Sequence, residues 1–331
     1  MARNLITDIP GVRVGHAGDP GLGSGVTAIV FDEAVIASVD VRGGGPGTRE
    51  TALLDPAHTV ESIDAIVLSG GSAFGLDAAS GVQAWLREQG RGFRVREARV
   101  PIVSGAILFD LLAGGDKNWG RYPPYRELGY EATQAAGHDF ALGSAGAGLG
   151  ATTVNLKGGI GSASSQTRGG ITVGALAAAN AAGSMTIGDG PHFWAALFEQ
   201  GKEFGGLGWP ATIPPAALEF RSKGVAGENT TLAVVATDAK LSKGQAKRLA
   251  IMAQTGLSRA IYPVHTPLDG DLVFAVATGQ KPLADPVFSL SELGMAAANV
   301  LARAIARGIY EATALPFPGV VPSWRDRFGS S

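Results

Sequence analysis

Cysteine is absent from the 331 residues. Its absence removes disulfides, thiolate nucleophiles and Cys-ligated zinc together, and it fits a reducing compartment, so a cytoplasmic location is expected. Histidine is scarce. His16, His58, His138, His192 and His265 show no metal-ligand spacing, so neither a metal site nor a cofactor is expected. Neither sign of charge dominates: the net charge is −2, which argues against nucleic acid or an anionic membrane as partner. Long hydrophobic runs are missing too. Met1 to Asp8 lacks the apolar core of a signal peptide. The longest uncharged stretch, Gly169 to Gly188, is rich in Gly, Ala, Ser and Asn, so it reads as a buried strand and turn and not a membrane span.

Glycine, by contrast, is abundant. There are 49 glycines, about twice average usage, scattered without a period, so tight turns and close backbone approaches are their expected use. A chain of this length buries roughly three quarters of its unfolded surface. The most linker-like segment, Gly205 to Pro215, is short and contains Trp209, so residues 1–331 are expected to form a single domain.

Two apolar runs around Asp32-Glu33, within Val26 to Val41, predict a hairpin. Ala65 to Leu68 predicts a buried strand, and Ala73 to Gln89 has helical spacing. β-type runs at Ala151 to Val154 and Ile171 to Val173 flank Gly158-Gly159, which predicts a tight turn between them. Thr231 to Thr237 and Leu272 to Ala277 predict strands. Ser242 with Gln245, and Ser289 with Glu292, carry the capping-box signature of two helix starts. The C-terminal third therefore reads β-α-β-α.

The candidate chemistry lies where the polar loop Gly227-Glu228-Asn229 meets Thr230-Thr231 and an apolar strand. Cutting the bond between Asn229 and Thr230 would make Thr230 a new amino terminus, with a nucleophile and a base on one residue. An α-amine titrates near ~8 and a lysine near ~10.4, so at neutral pH far more of the α-amine can accept a proton. Asp269-Gly270-Asp271 places two carboxylates at i and i+2, about 6.5 Å apart on a strand, close enough to raise one pKa. An ordinary Asp-Gly turn gives the same letters. Gly70-Gly71-Ser72-Ala73-Phe74 has the strand-turn-helix setting of a nucleophile elbow, but Phe74 stands where the elbow has glycine. A serine hydrolase using Ser72, with His265 as base, is thus an alternative. Gly146-Ala147-Gly148-Leu149-Gly150-Ala151 has the letters of a dinucleotide fingerprint, but β-type residues follow and no acid lies at the required distance.

Beyond these local signals, the chain resembles the DmpA family of self-cleaving aminopeptidases, peptidase family S58, which includes the nylon-oligomer (6-aminohexanoate-oligomer) hydrolases. The resemblance rests on residues 6–16, Val39 to Gly44, Leu68 to Leu76, Gly159 to Ser164, Asn229-Thr230-Thr231 and Asp269 to Ala275. It implies an α/β (α+β) αββα sandwich of the DmpA/ornithine acetyltransferase type, N-terminal-nucleophile-hydrolase-like. It also implies self-cleavage into an α chain, 1–229, and a β chain, 230–331, assembled as a homotetramer of αβ units. Thr230 matches the nucleophile and Asn180 an oxyanion-stabilising or positioning residue, while Asp269 and Asp271 match the acidic pair of the nylon-oligomer hydrolases. Phe109 stands where some members have a tyrosine, and phenylalanine cannot donate a hydrogen bond. Lys157 alone remains where the family often has two lysines. Phe109, Gly70 and Gly71 are candidates for contact with substrate. The implied activity is hydrolysis of amide bonds in small peptides or linear oligoamides. Acyl transfer of the ornithine acetyltransferase type is a further alternative.

Overall fold

The computed structural model describes residues 2–223 and 229–329, so Gly227 and Glu228 of the predicted loop lie outside the described residues. Strands β1 (Val12–Asp19), β2 (Ser24–Val41), β3 (Gly47–Arg49) and β4 (Ser62–Ser69) come first. Helix α1 (Ala78–Glu88) follows, then a small hairpin of β5 (Phe93–Val95) and β6 (Ala98–Val100), strand β7 (Val103–Ile107) and helix α2 (Tyr125–Gln134). Strands β8 (Gly159–Gln166) and β9 (Thr172–Asn180) precede the C-terminal run β10 (Thr230–Ala239), α3 (Lys243–Ala260), β11 (Leu272–Lys281), α4 (Phe288–Tyr310) and α5 (Trp324–Phe328). The main ladder runs β3-β7-β4-β2-β11-β10-β9-β8, with β1 paired to β2.

The hairpin expected around Asp32-Glu33 is replaced by one continuous 18-residue strand, β2. No glycine or asparagine is present there to take the positive φ of a tight hairpin turn. The two apolar halves instead find different partners. Residues 24–31 pair with β1 and 36–41 with β11, while the β4 ladder slips between Val30 and Val35. Asp32, Glu33 and Ala34 are exposed at this irregularity.

Because β2 serves both halves of the ladder, the sheet folds over into two layers, and the period-2 alternation of each strand feeds two cores. On β10, Leu232, Val234 and Ala236 join Leu176, Phe274, Ile29 and Ile66 in the core between the layers. Ala233 and Val235 face the opposite way, against Leu249 and Ala253 of α3 and Leu301 and Ile305 of α4. On the far side, Val26, Ala28, Ala65 and Val67 pack on Val82 and Leu86 of α1 and Leu128 and Ala132 of α2. The layers are α, β, β, α. Among the described residues, no helix is long and apolar enough to cross a membrane.

Two further expectations are corrected. Gly158-Gly159 does not turn between two strands: β8 begins at Gly159, and Ala151 to Val154 is not a strand but contributes a single bridge, Thr152 to Lys157. The glycines of β8 serve a close approach of α4. A Cβ at Gly161 would lie 1.8 Å from the Ala304 carbonyl oxygen, and one at Gly159 would lie 2.4 Å from that of Gly308. The Ser289/Glu292 pair does not cap α4. Asp285 does so, its Oδ1 accepting the Val287 and Phe288 N–H groups at 2.8 and 2.7 Å. Ser242 and Gln245 do form the capping box of α3.

Candidate active site

Thr230 opens β10 in the middle of the ladder, directly opposite Asn180 at the end of the antiparallel β9. Directly opposed residues place their Cβ atoms about 5 Å apart on one face. For this pair that face is the one Leu232 and Ala178 present to the core between the layers. Asn180 spans the gap to the other layer. Its Nδ2 donates to the Phe109 carbonyl, 3.1 Å away and just past β7. Its Oδ1 accepts from the Thr152 N–H and the Lys223 ammonium, each at 3.0 Å. The site therefore lies buried at the edge between the layers, on strand ends held by the pairing of β10 with β9 and β11.

The carbonyl of Asn229 is held from two sides. The Thr230 hydroxyl donates to it, and the Gly270 N–H donates at 2.8 Å. Asn229 also bridges Asp269 in parallel register. Asp269 and Asp271 are both buried just before β11. Asp271 accepts the Thr231 N–H on Oδ1 at 2.7 Å, and His265 Nδ1 lies 3.0 Å from Oδ2. Asp269 accepts the Ala182 N–H on Oδ1 and the Thr266 hydroxyl and N–H on Oδ2. Burial pushes the Asp269 carboxyl above the ordinary carboxylate range, and the neighbouring Asp271 charge pushes it further. The acidic pair thus flanks the Asn229–Thr230 link and would gain from a positive charge placed there.

Lys157 is fully buried, and its three ammonium hydrogens match three carbonyl oxygens, those of Gly148, Ala151 and Gly158, each at 2.8 Å. No hydrogen bond joins it to Thr230; it pins the loop that presents the Thr152 N–H to Asn180. Burial lowers its pKa from 10.5 to about 7, with Asp110 opposing the shift and Lys223 adding to it. Between about pH 7 and 10.5 the unfolded chain therefore carries a proton that the folded chain has lost, and folded stability rises with pH across that window. Lys157→Met should lack this rise. Relative to the variant, the wild type should gain up to about 4 kcal/mol between pH 7 and 10 in urea unfolding. Parallel profiles for the two proteins would refute it.

Gly70 and Gly71 lie around Asp110. The Gly71 N–H donates to Asp110 Oδ1 at 2.7 Å and the Ser24 hydroxyl to Oδ2 at 2.6 Å. Gly71 takes φ 83°, with the Tyr125 ring where a Cβ would stand. Burial raises the Asp110 carboxyl. Ser72 takes φ 53° and its N–H donates to the Leu108 carbonyl. Among the described residues no histidine hydrogen-bonds Ser72, and His265 bonds Asp271. A cavity of about 320 Å³ adjoins the site, lined in part by Phe109, Asp110, Thr152, Thr153, Lys223 and Val321. Among the described residues, no group of three or more His, Asp or Glu side chains is arranged to hold a metal ion.

Lys223, Thr152, Asp110 and the Gly270 N–H were not singled out from the sequence. Gly270 lies inside the recognised Asp-Gly-Asp, and its role is a backbone one that no side-chain letter announces. Lys223 and Thr152 meet only through tertiary structure, 71 positions apart.

Among solved structures, the L-aminopeptidase D-Ala-esterase/amidase from Ochrobactrum anthropi, described as a variant of the Ntn hydrolase fold, superposes with a TM-score of 0.71. It is 22% identical, with 96% of this chain and 89% of that one covered. The fold is thus that of the Ntn hydrolases, and the match to a peptidase family makes the protein an amide-bond hydrolase. The chain belongs to peptidase family S58, which residues 4–319 match. An uncharacterized aminopeptidase of Mycobacterium tuberculosis (strain H37Rv) is 44% identical over 98% of both chains. The 6-aminohexanoate-oligomer endohydrolase of Agromyces sp. is 28% identical over 83% of this chain and 75% of its own.

Proposed function

We propose that the chain cuts itself between Asn229 and Thr230 and that the freed Thr230 then hydrolyses amide bonds of small peptides or linear oligoamides. The observation that carries this reading is the Asn229 carbonyl, touched by the Thr230 hydroxyl on one side and by the Gly270 N–H at 2.8 Å on the other. Attack of Oγ1 on this carbonyl forms the C–O bond, breaks the C–N bond and moves the hydroxyl proton to the departing amine. Water then cleaves the ester, leaving an Asn229 carboxylate and the Thr230 hydroxyl. The Gly270 N–H is aimed at the oxygen on which negative charge develops. A donor of this kind is worth roughly 3–4 kcal/mol.

In the second stage the α-amine of Thr230 takes the proton of its own hydroxyl as that oxygen attacks a substrate amide. Asn180, on the same strand face, positions the acylated oxygen, and water releases the acyl group. Asp269 and Asp271 hold the new α-ammonium, whose charge relieves their mutual repulsion. The two pieces stay together because β10 and β11 lie in mid-ladder between β2 and β9. Intact mass of the purified protein, followed by terminal sequencing, tests the proposal. Two chains are expected, the second beginning Thr-Thr-Leu. A single 33.7 kDa chain in an active preparation would overturn it.

A further inference from the structure

Asp269 and Asp271 are each gripped by one of two neighbouring residues, Thr266 and His265. His265 gives Asp271 Oδ2 a backbone donor, its N–H at 3.1 Å, and a side-chain donor, Nδ1 at 3.0 Å. Thr266 does the same for Asp269 Oδ2, with its N–H at 3.0 Å and its hydroxyl at 2.7 Å. Among the described residues, His265 is the one Lys, Arg or His side chain hydrogen-bonded to either carboxylate. It takes φ 56°, a left-handed conformation that turns successive N–H groups toward an anion. Glycine, asparagine and histidine enter that conformation more readily than other residues. Any of them would supply the backbone donor, so what the imidazole adds is Nδ1. That nitrogen donates both in the imidazolium and in the tautomer that carries its proton there.

We propose that His265 is a positioning residue for both stages of the reaction, acting through Asp271 on Thr230, a role that rests on the self-cleavage reading. Asp271 reaches the nucleophile with its other oxygen, Oδ1, which accepts the Thr231 N–H at 2.7 Å. On the preceding side the Asn229 carbonyl accepts the Gly270 N–H at 2.8 Å. The peptide planes before and after Thr230 are thus both held, and with them the line from its hydroxyl to the Asn229 carbonyl. The cut removes the first plane. Of these two holds, only the bond from the Thr231 N–H to Asp271 then remains to fix the hydroxyl and the freed α-amine. It works only while the carboxylate keeps its orientation, and repulsion between Asp269 and Asp271 acts against that. Without Nδ1, the His265 N–H is the one donor left on Oδ2. The second stage therefore depends on His265 more than the first. A misplaced nucleophile slows the bond-making step and leaves substrate affinity largely unchanged.

Two variants separate the ring's hydrogen bond from the conformation of the turn. His265→Gly keeps the left-handed backbone and its N–H but deletes Nδ1. His265→Asn also suits that backbone, and its amide nitrogen can donate from nearly the same place. In the glycine variant, kcat per cut chain for an aminoacyl p-nitroanilide should fall about tenfold or more, with KM within about threefold. Chain cutting, followed by mass in freshly synthesised protein, should slow as well. Asparagine should restore both to within about threefold of wild type. Thermal melts of the three proteins in an uncut Thr230→Ala background should agree closely, whereas a merely structural role would lower the melt of the glycine variant and spare kcat. Should that variant not fold, His265→Asp makes the same comparison: it suits the turn, offers Asp271 no donor and should lose at least as much. Unchanged kcat and cutting in the glycine variant, or a loss that asparagine does not recover, would overturn the proposal. A wild type that stays uncut refutes the self-cleavage reading itself. A wild type that cuts no faster than the glycine variant, with equal kcat, refutes only the role of His265.

Discussion

Thr230→Ala leaves a single chain of 33.7 kDa on a denaturing gel, and its amide hydrolysis falls by about four orders of magnitude or more. The size of the loss follows from one side chain serving both stages. Without Oγ1 the Asn229 carbonyl has no attacking atom, so the α-amine is never freed, and the site lacks its nucleophile and its base together. The fold should survive. Thr230 is the first residue of β10, and the buried Leu232, Val234 and Phe274 that anchor this part of the ladder are untouched. A stability change within about 1 kcal/mol is therefore expected. Thr230→Ser restores the hydroxyl and with it the cut, though the smaller side chain is less fixed in rotamer. Two pieces from the alanine variant would show that another group cuts the chain, and the reading built on Thr230 would fall.

The parts of this site that could be read from the sequence are those whose chemistry sits in adjacent letters. The strand over Thr231 to Thr237 follows from its apolar run, and helix α3 from Ser242 and Gln245, because capping and periodicity are local. The Asp269/Asp271 pair is likewise local, but the raised Asp269 carboxyl follows first from burial, which adjacent letters do not encode, and only then from the Asp271 charge two residues away. Where local letters compete with tertiary partners, the partners win. β2 runs straight through Asp32-Glu33 because β1 and β11 offer separate ladders to its two halves. The β8 glycines look like a turn, but they clear space for the carbonyls of Ala304 and Gly308 on α4. Asp285 caps α4 in place of Ser289, as both have side chains suited to the task and only the chain's path into the helix decides between them. The contact of Lys223 with Thr152 and Asn180 needs a loop and a strand end far apart in sequence to converge on one lysine, and no spacing along the chain encodes that.

Gly270→Ala yields a folded protein that cuts itself about a hundredfold or more slowly. A Cβ at Gly270 would stand 2.7 Å from Thr230 Oγ1 and 2.8 Å from the Gly45 carbonyl oxygen. Something has to shift, and the Gly45 oxygen belongs to a backbone held by its own N–H bond to the Asp269 carbonyl at 2.8 Å. Relief therefore comes at the Thr230 side chain, which rotates away, or at residue 270, whose N–H then leaves the Asn229 carbonyl. The first removes the attacking atom from line and the second removes the donor aimed at the developing charge. Each costs several kcal/mol in the barrier and much less in folding. Gly270 does not use positive φ, so the alanine brings no backbone strain of its own. The measurement is the time course of chain cutting in freshly purified protein, read by mass, beside a thermal melt. Cutting at the wild-type rate with an unchanged melt would show that neither the hydroxyl's position nor the Gly270 N–H governs the first step.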